Sequence, residues 1–190
     1  MDGLAFGDKA SATVLRAPRP AGDEWAWHGR FDVACVGPDG RVRWRDTAEN
    51  LVTAEGLRIC LEIMFRAQSS ITSWYLGLVD NAGFSAFAPA DVISAGGHTG
   101  WVENVAYTNT NRPAWTTSAA SGGSVTNPTS ANFNMNATVT IKGLFLVSSN
   151  VVNGTAGTMF SEAAFSGGPQ LVNNGDTLQC TYTLTTTSTT

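Results

Sequence analysis

His28 and His98, three cysteines and a scatter of single carboxylates are the residues of this chain that could do chemistry, so their spacing is the first test. The two histidines belong to no HxH, HExxH or HxxxH pattern, and CxxC is absent. That spacing predicts no metal site. A serine hydrolase of the elbow type needs GxSxG, and the nearest string, GFSAF (Gly83 to Phe87), does not match it. No two acids stand in the context of a glycosidase pair. GGHTGW (Gly96 to Trp101) is neither a Walker loop nor a dinucleotide fingerprint, and His98 reads as part of a Gly-rich turn. No catalytic, metal or cofactor residues are predicted, and the chain is expected not to be an enzyme. A hydrolase with dispersed catalytic residues ranks last among the alternatives.

Binding is the better-supported chemistry. In GWVENVAYTNTNRPAW (Gly100 to Trp115), Trp101, Tyr107 and Trp115 accompany Asn104, Asn109, Asn111 and Arg112. Flat rings and amides of that kind suit a carbohydrate. The preferred reading is that the large aromatics fill a core, their commonest use. Arg41, Arg43 and Arg45 alternate with Val42 and Trp44 and form a basic row on one face of a strand. They are either a solvated face or a docking surface for an acidic protein. Trp25 and Trp27 follow a Pro-rich, aperiodic stretch, and two tryptophans there need a surface to cover. These five residues are the candidate partner-binding set.

The elements that must position them are mostly strands. Of 190 residues only 14% are charged, and Thr, Ser, Asn and Gly fill the difference. FDVACVGPDGRVRW reads as a hairpin closed by Gly37 to Gly40, with Phe31, Val33, Cys35, Val42 and Trp44 inward. TSWYLGLVD, ATVTIKGLFLVSS, GTMFSEAAF and DTLQCTYTLTT are further strands, the last with Leu178, Cys180, Tyr182 and Leu184 inward. The first of these is apolar enough to be covered on both faces. A short strand is expected around Phe133, and two weaker ones within GWVENVAYTN and RPAWTTSA. One segment breaks the pattern. Leu57, Cys60, Leu61, Met64 and Phe65 have helical spacing, which predicts an amphipathic helix over about 53–66 with Thr53 as N-cap and Glu55 near the positive end of the dipole. Its apolar stripe is expected to cap an open end of a sandwich or to cover a sheet.

The fold expected is therefore mainly β: an antiparallel β-sandwich, jelly-roll or Ig-like, with one embedded helix. Residues 1–29 are expected to be an extended N-terminal arm and residues 30–190 the sandwich domain. Cys35, Cys60 and Cys180 are odd in number and sit in apolar positions, which predicts buried free thiols. The net charge of −4 argues against general nucleic-acid binding, although nine of the eleven basic residues lie between Lys9 and Arg66. No apolar run suits a signal peptide or a membrane span.

From Gly29 to Phe65 the chain runs GRFDVACVGPDGRVRWRDTAENLVTAEGLRICLEIMF. In order and spacing this resembles the opening of a family of tailed-bacteriophage virion proteins, in which a hairpin ending in Trp leads to Asn-Leu-Val and a Gly-Leu helix. WYLGLVD, GWVENVAYTNTNRPAW, GGSVTNPTSANFNMNATVTIKGLFLVSS and GTMFSEAAFSGGPQLVNNGDTLQCTYTLTT continue the likeness to about residue 186. The resemblance implies a non-enzymatic virion part, assembled in the host bacterial cytoplasm. On this reading the chain is a capsid decoration or cement protein, its partners being the major capsid protein and copies of itself in a homo-oligomer. A tail or head–tail junction protein is the alternative within that class. A virion carbohydrate-binding module is the alternative outside it.

Overall fold

The turn Gly37 to Gly40 closes a hairpin, as its composition requires. The Gly40 amide donates to the Gly37 carbonyl (2.9 Å), and Gly40 takes the positive φ of 76° that favours glycine. The structure, a computed structural model, describes residues 24–189. The strands are β1 (Glu24–Val36), β2 (Val42–Glu49), β3 (Leu51–Val52), β4 (Tyr75–Asp80), β5 (Glu103–Asn104), β6 (Ser124–Thr126), β7 (Ala131–Asn134), β8 (Val139–Val147), β9 (Met159–Ala164), β10 (Gln170–Val172) and β11 (Thr177–Thr189). One helix, α1 (Ala54–Phe65), lies among the described residues.

All strand pairs are antiparallel and fall into two sheets. The first has the order β2-β1-β11-β6, with β7 also on β11. The second has the order β3-β9-β8-β4-β5, with β10 also on β8. The main core lies between them. Phe31, Val33 and Cys35 of β1 and Leu178, Cys180 and Tyr182 of β11 meet Leu76, Leu78, Ile141, Leu144 and Leu146 of the second sheet. The mainly β sandwich with one helix read from the sequence is thus the architecture observed. The alternation of β11 settles its own facing: its in-facing side chains are buried and its threonines are not.

The second sheet is covered on its other face as well. Residues 81–101 fold back over it, and Phe84, Phe87, Ile93 and Trp101 pack on Val79, Phe145, Val147 and Met159. This is why Leu76 to Val79 of β4 and Gly143 to Val147 of β8 are apolar runs: both faces of those segments are buried.

Four expectations are corrected. First, β1 begins at Glu24, so residues 24–29, assigned above to the arm, are sheet; they pair with Thr189 to Leu184 of β11. Residues 1–23 of that arm lie outside the described residues. Second, the helix forms where predicted, and the Thr53 hydroxyl caps it by accepting from the Gly56 amide (3.0 Å). The helix is turned differently, however. Gly56 and Ile59 are buried and Cys60 and Ile63 half-buried, while Leu57, Leu61, Met64 and Phe65 face outward. Two apolar arcs lie side by side on α1, and the close approach of its first turn to β9 selects between them. A Cβ on Gly56 would run into the Phe160 carbonyl. Third, the two strands expected in 100–119 reduce to β5 and to isolated bridges at Tyr107 and Ala114. Loop hydrogen bonds dominate that segment. Fourth, a bulge between Cys35 and Val36 shifts the hairpin register, pairing Val36 with Val42 but Cys35 with Trp44. Val42 is consequently exposed rather than inward.

Candidate interaction surface

The same bulge dissolves the arginine row. Arg43 has no opposite residue and turns onto Asp176, its Nε donating to Oδ1 at 2.7 Å. Asp176 is fully buried and also accepts from the Asn173 amide (2.9 Å) and the Cys35 thiol (3.5 Å). Burial pushes its carboxyl up, but these three donors outweigh burial and hold it below the usual range. Arg43 is thus a structural ion-pair partner. Arg41 precedes β2, exposed, with its Nε 4.0 Å from Asp39. Arg45 alone remains on the outer face of the first sheet. There it borders a polar groove of about 550 Å³ with Arg30, Asp32, Thr47, Gln179 and Thr181.

Trp27 is half-buried and belongs to its own domain. Its ring meets Phe160 edge-on at 6.5 Å, and it lines an apolar cavity of about 180 Å³ with Ile59, Cys60, Ile63 and Trp74. Trp25 pairs with Ser188 through its backbone in β1, and its side chain lies outside the described set. Of the candidate partner-binding residues whose side chains are described, Trp27 lines the cavity while Arg43 and Arg45 lie elsewhere, so these are not brought together.

Of the sugar-site residues of 101–115, Asn111 is exposed and the others are spent internally. Trp101 is 1% exposed, stacked under the His98 ring at 4.1 Å, with its indole N–H bonded to Asp91 and Glu162. The Trp115 indole donates to the Tyr182 carbonyl (2.9 Å). Arg112 is buried in a two-pronged pair with Glu103, Nε to Oε1 at 2.8 Å and Nη2 to Oε2 at 2.7 Å; it also holds the Ser149 and Gly154 carbonyls. Asn104 donates to Asp80, and Asn109 bonds the backbone of β7. No ring of this group offers an open face. Among the described residues no three His, Cys, Asp or Glu side chains cluster as metal ligands, and no helix is long and apolar enough to cross a membrane. Cys35, Cys60 and Cys180 are free, and burial raises all three thiols, Cys35 to about 12.

What the geometry does present is the outer side of α1. The helix caps the open end of the sandwich, because the cavity beneath it joins Trp27 and Leu184 of the first sheet to Leu146 and Phe160 of the second. Its other side carries Leu57, Leu61, Met64 and Phe65 at i, i+4, i+7 and i+8, with Phe65 71% exposed. Arg58 flanks this stripe with no ion-pair partner among the described residues, and Arg66 flanks it paired to Glu62 (3.1 Å). Four large apolar side chains in a row on one helix face are far from the scattered singles normal on a surface. Periodicity found these residues but assigned them inward. The buried acids Asp91, Glu162 and Asp176 were missed altogether. The available signal was a lone acid inside an otherwise apolar strand, as in MFSEAAF.

No family model matches the chain, and no curated protein matches it in sequence.

Proposed function

We propose that this chain is a non-enzymatic structural subunit of a tailed-phage virion, a decoration or cement protein that docks on the outside of the major capsid protein shell. The observation that carries the reading is the outward apolar stripe of α1, Leu57, Leu61, Met64 and Phe65. The resemblance over residues 30–186 supports it. So does the use of the polar residues: Asp176, Glu103 and Glu162 are all engaged in buried clusters that hold loops, not in an open cleft. The stripe, with Arg58 and Arg66 on its margins, suits an apolar patch on the shell protein bordered by carboxylates. Bridging a junction between capsomers in this way adds buried area that the shell must lose before it opens, which resists pressure from packaged DNA. Copies related by the shell symmetry would repeat the contact.

The test is Leu61→Glu with Phe65→Glu. Both side chains are exposed, so circular dichroism and the melting temperature should barely change, while co-sedimentation with undecorated shells should fall at least tenfold. Full-strength binding by the folded double variant overturns the reading. A copy number per particle that follows the shell lattice supports decoration over a tail or junction site.

A further inference from the structure

Glu162 stands in the middle of β9 with no exposed surface, and Asp91, almost as buried, reaches it from the 81–101 segment. Two N–H groups serve both acids. The Trp101 indole donates to Asp91 Oδ2 (3.0 Å) and Glu162 Oε2 (3.0 Å); the Ala88 amide donates to Asp91 Oδ2 (3.1 Å) and Glu162 Oε1 (3.1 Å). No lysine or arginine among the described residues forms an ion pair with either. Two carboxylates that converge on the same donors without a cation cannot both stay ionised at low cost, whereas one proton between them turns repulsion into a hydrogen bond.

We propose that Asp91 and Glu162 share a proton and form a pH-operated latch, which closes the 81–101 segment over the second sheet while the proton is held and loosens it when the proton leaves. The latch lies at a junction of three elements. The Ala54 amide, at the start of α1, donates to the Pro89 carbonyl (2.7 Å), so the segment is tied to the helix as well as to β9. Beneath it lie the rings of Phe84, Phe87 and Trp101. The other titratable or charged groups nearby are engaged. His98 stacks on Trp101 and bonds its carbonyl (3.1 Å). Glu55 of α1 accepts from the Met159 amide (2.8 Å). Arg112 lies over the Phe145 ring and is paired with Glu103, and Lys142 lies over Phe84. The residues opposite Glu162 in the sheet, Leu51 of β3 and Phe145 of β8, carry no charge.

Burial first, then Asp91, raises the Glu162 carboxyl from its usual 4.5 to about 8. A carboxyl raised on folding binds its proton more tightly in the native state. Its stabilising effect is therefore complete below about 4.5 and is lost as pH rises toward about 8.

The test follows the Trp101 indole N–H resonance in full-length protein labelled with 15N-tryptophan, across about pH 6 to 9.5, a range that brackets the expected titration. The wild type should titrate with a midpoint near 8, and Glu162→Gln should be flat. The melting temperature of the wild type should drop by several degrees relative to E162Q over the same range. His98→Gln should leave the titration in place. A static Trp101 resonance in the wild type overturns the latch. So does a titration that survives in E162Q or disappears in H98Q. Should E162Q not fold, Asp91→Asn should lower the midpoint, because it removes the part of the rise that Asp91 causes and leaves the part due to burial; a midpoint that does not move overturns the shared proton.

Discussion

Glu103 with Arg112, and Glu162 with Asp91, are two buried acidic clusters that fasten loops to strands of one sheet, and they are neutralised in opposite ways. Glu103 meets a fully buried guanidinium through two parallel hydrogen bonds, and its Oε2 also accepts from the Asn153 amide (2.8 Å). That cluster ties the 109–115 and 148–157 loops to β5 with a permanent countercharge. Glu162 meets only N–H donors and another acid. The first arrangement tolerates any ordinary pH, because arginine does not lose its proton. The second is stable only while a proton stays in it. The contrast shows that one fold can fasten one loop rigidly and leave its neighbour conditional, by the choice of what faces a carboxylate.

The largest effect that would break this comparison is expected at Arg112. Arg112→Met should cost about 3–5 kcal/mol, because it leaves Glu103 buried and unpaired. The double variant Arg112→Met with Glu103→Gln should recover part of that loss. Denaturant unfolding of the two variants measures both, and a single substitution as benign as a surface one would show that the pair does not hold the loops. Next in size is the pH contrast. Between about pH 5 and 9 the melting temperature of the wild type should fall, while that of E162Q should hold. Glu103→Gln should be destabilised by a similar amount at both ends of that range. Parallel pH curves for the wild type and E162Q would erase the distinction between the clusters.

The smallest effect sharpens the picture beside Arg112. The Tyr107 hydroxyl is buried without a hydrogen-bond partner among the described residues, and burial, with Glu103 second, raises its pKa. Tyr107→Phe removes an unsatisfied polar group and should stabilise by up to about 1 kcal/mol. A clear loss of stability by calorimetry would mean that the hydroxyl serves the cluster after all.

The sequence by itself determined the strands that alternate, the one helix with its Thr53 cap, and the free thiols. Each of these rests on local chemistry: side-chain period, turn residues and a capping hydroxyl that act within a few positions of one another. Only the tertiary structure decided which side of α1 meets the body. Leu57, Leu61, Met64 and Phe65 are as apolar as Ile59 and Ile63, and spacing alone put the first set inward; the fit of Gly56 against β9 turns the helix the other way. It also decided the fate of the arginines, since one bulge at Cys35 and Val36 sends Arg43 to Asp176 and leaves Arg45 at the groove. The carboxylate latch was hidden for the same reason. Asp91 and Glu162 are 71 positions apart in the chain, and only the folding of residues 81–101 over the second sheet turns two unremarkable acids into one shared proton site.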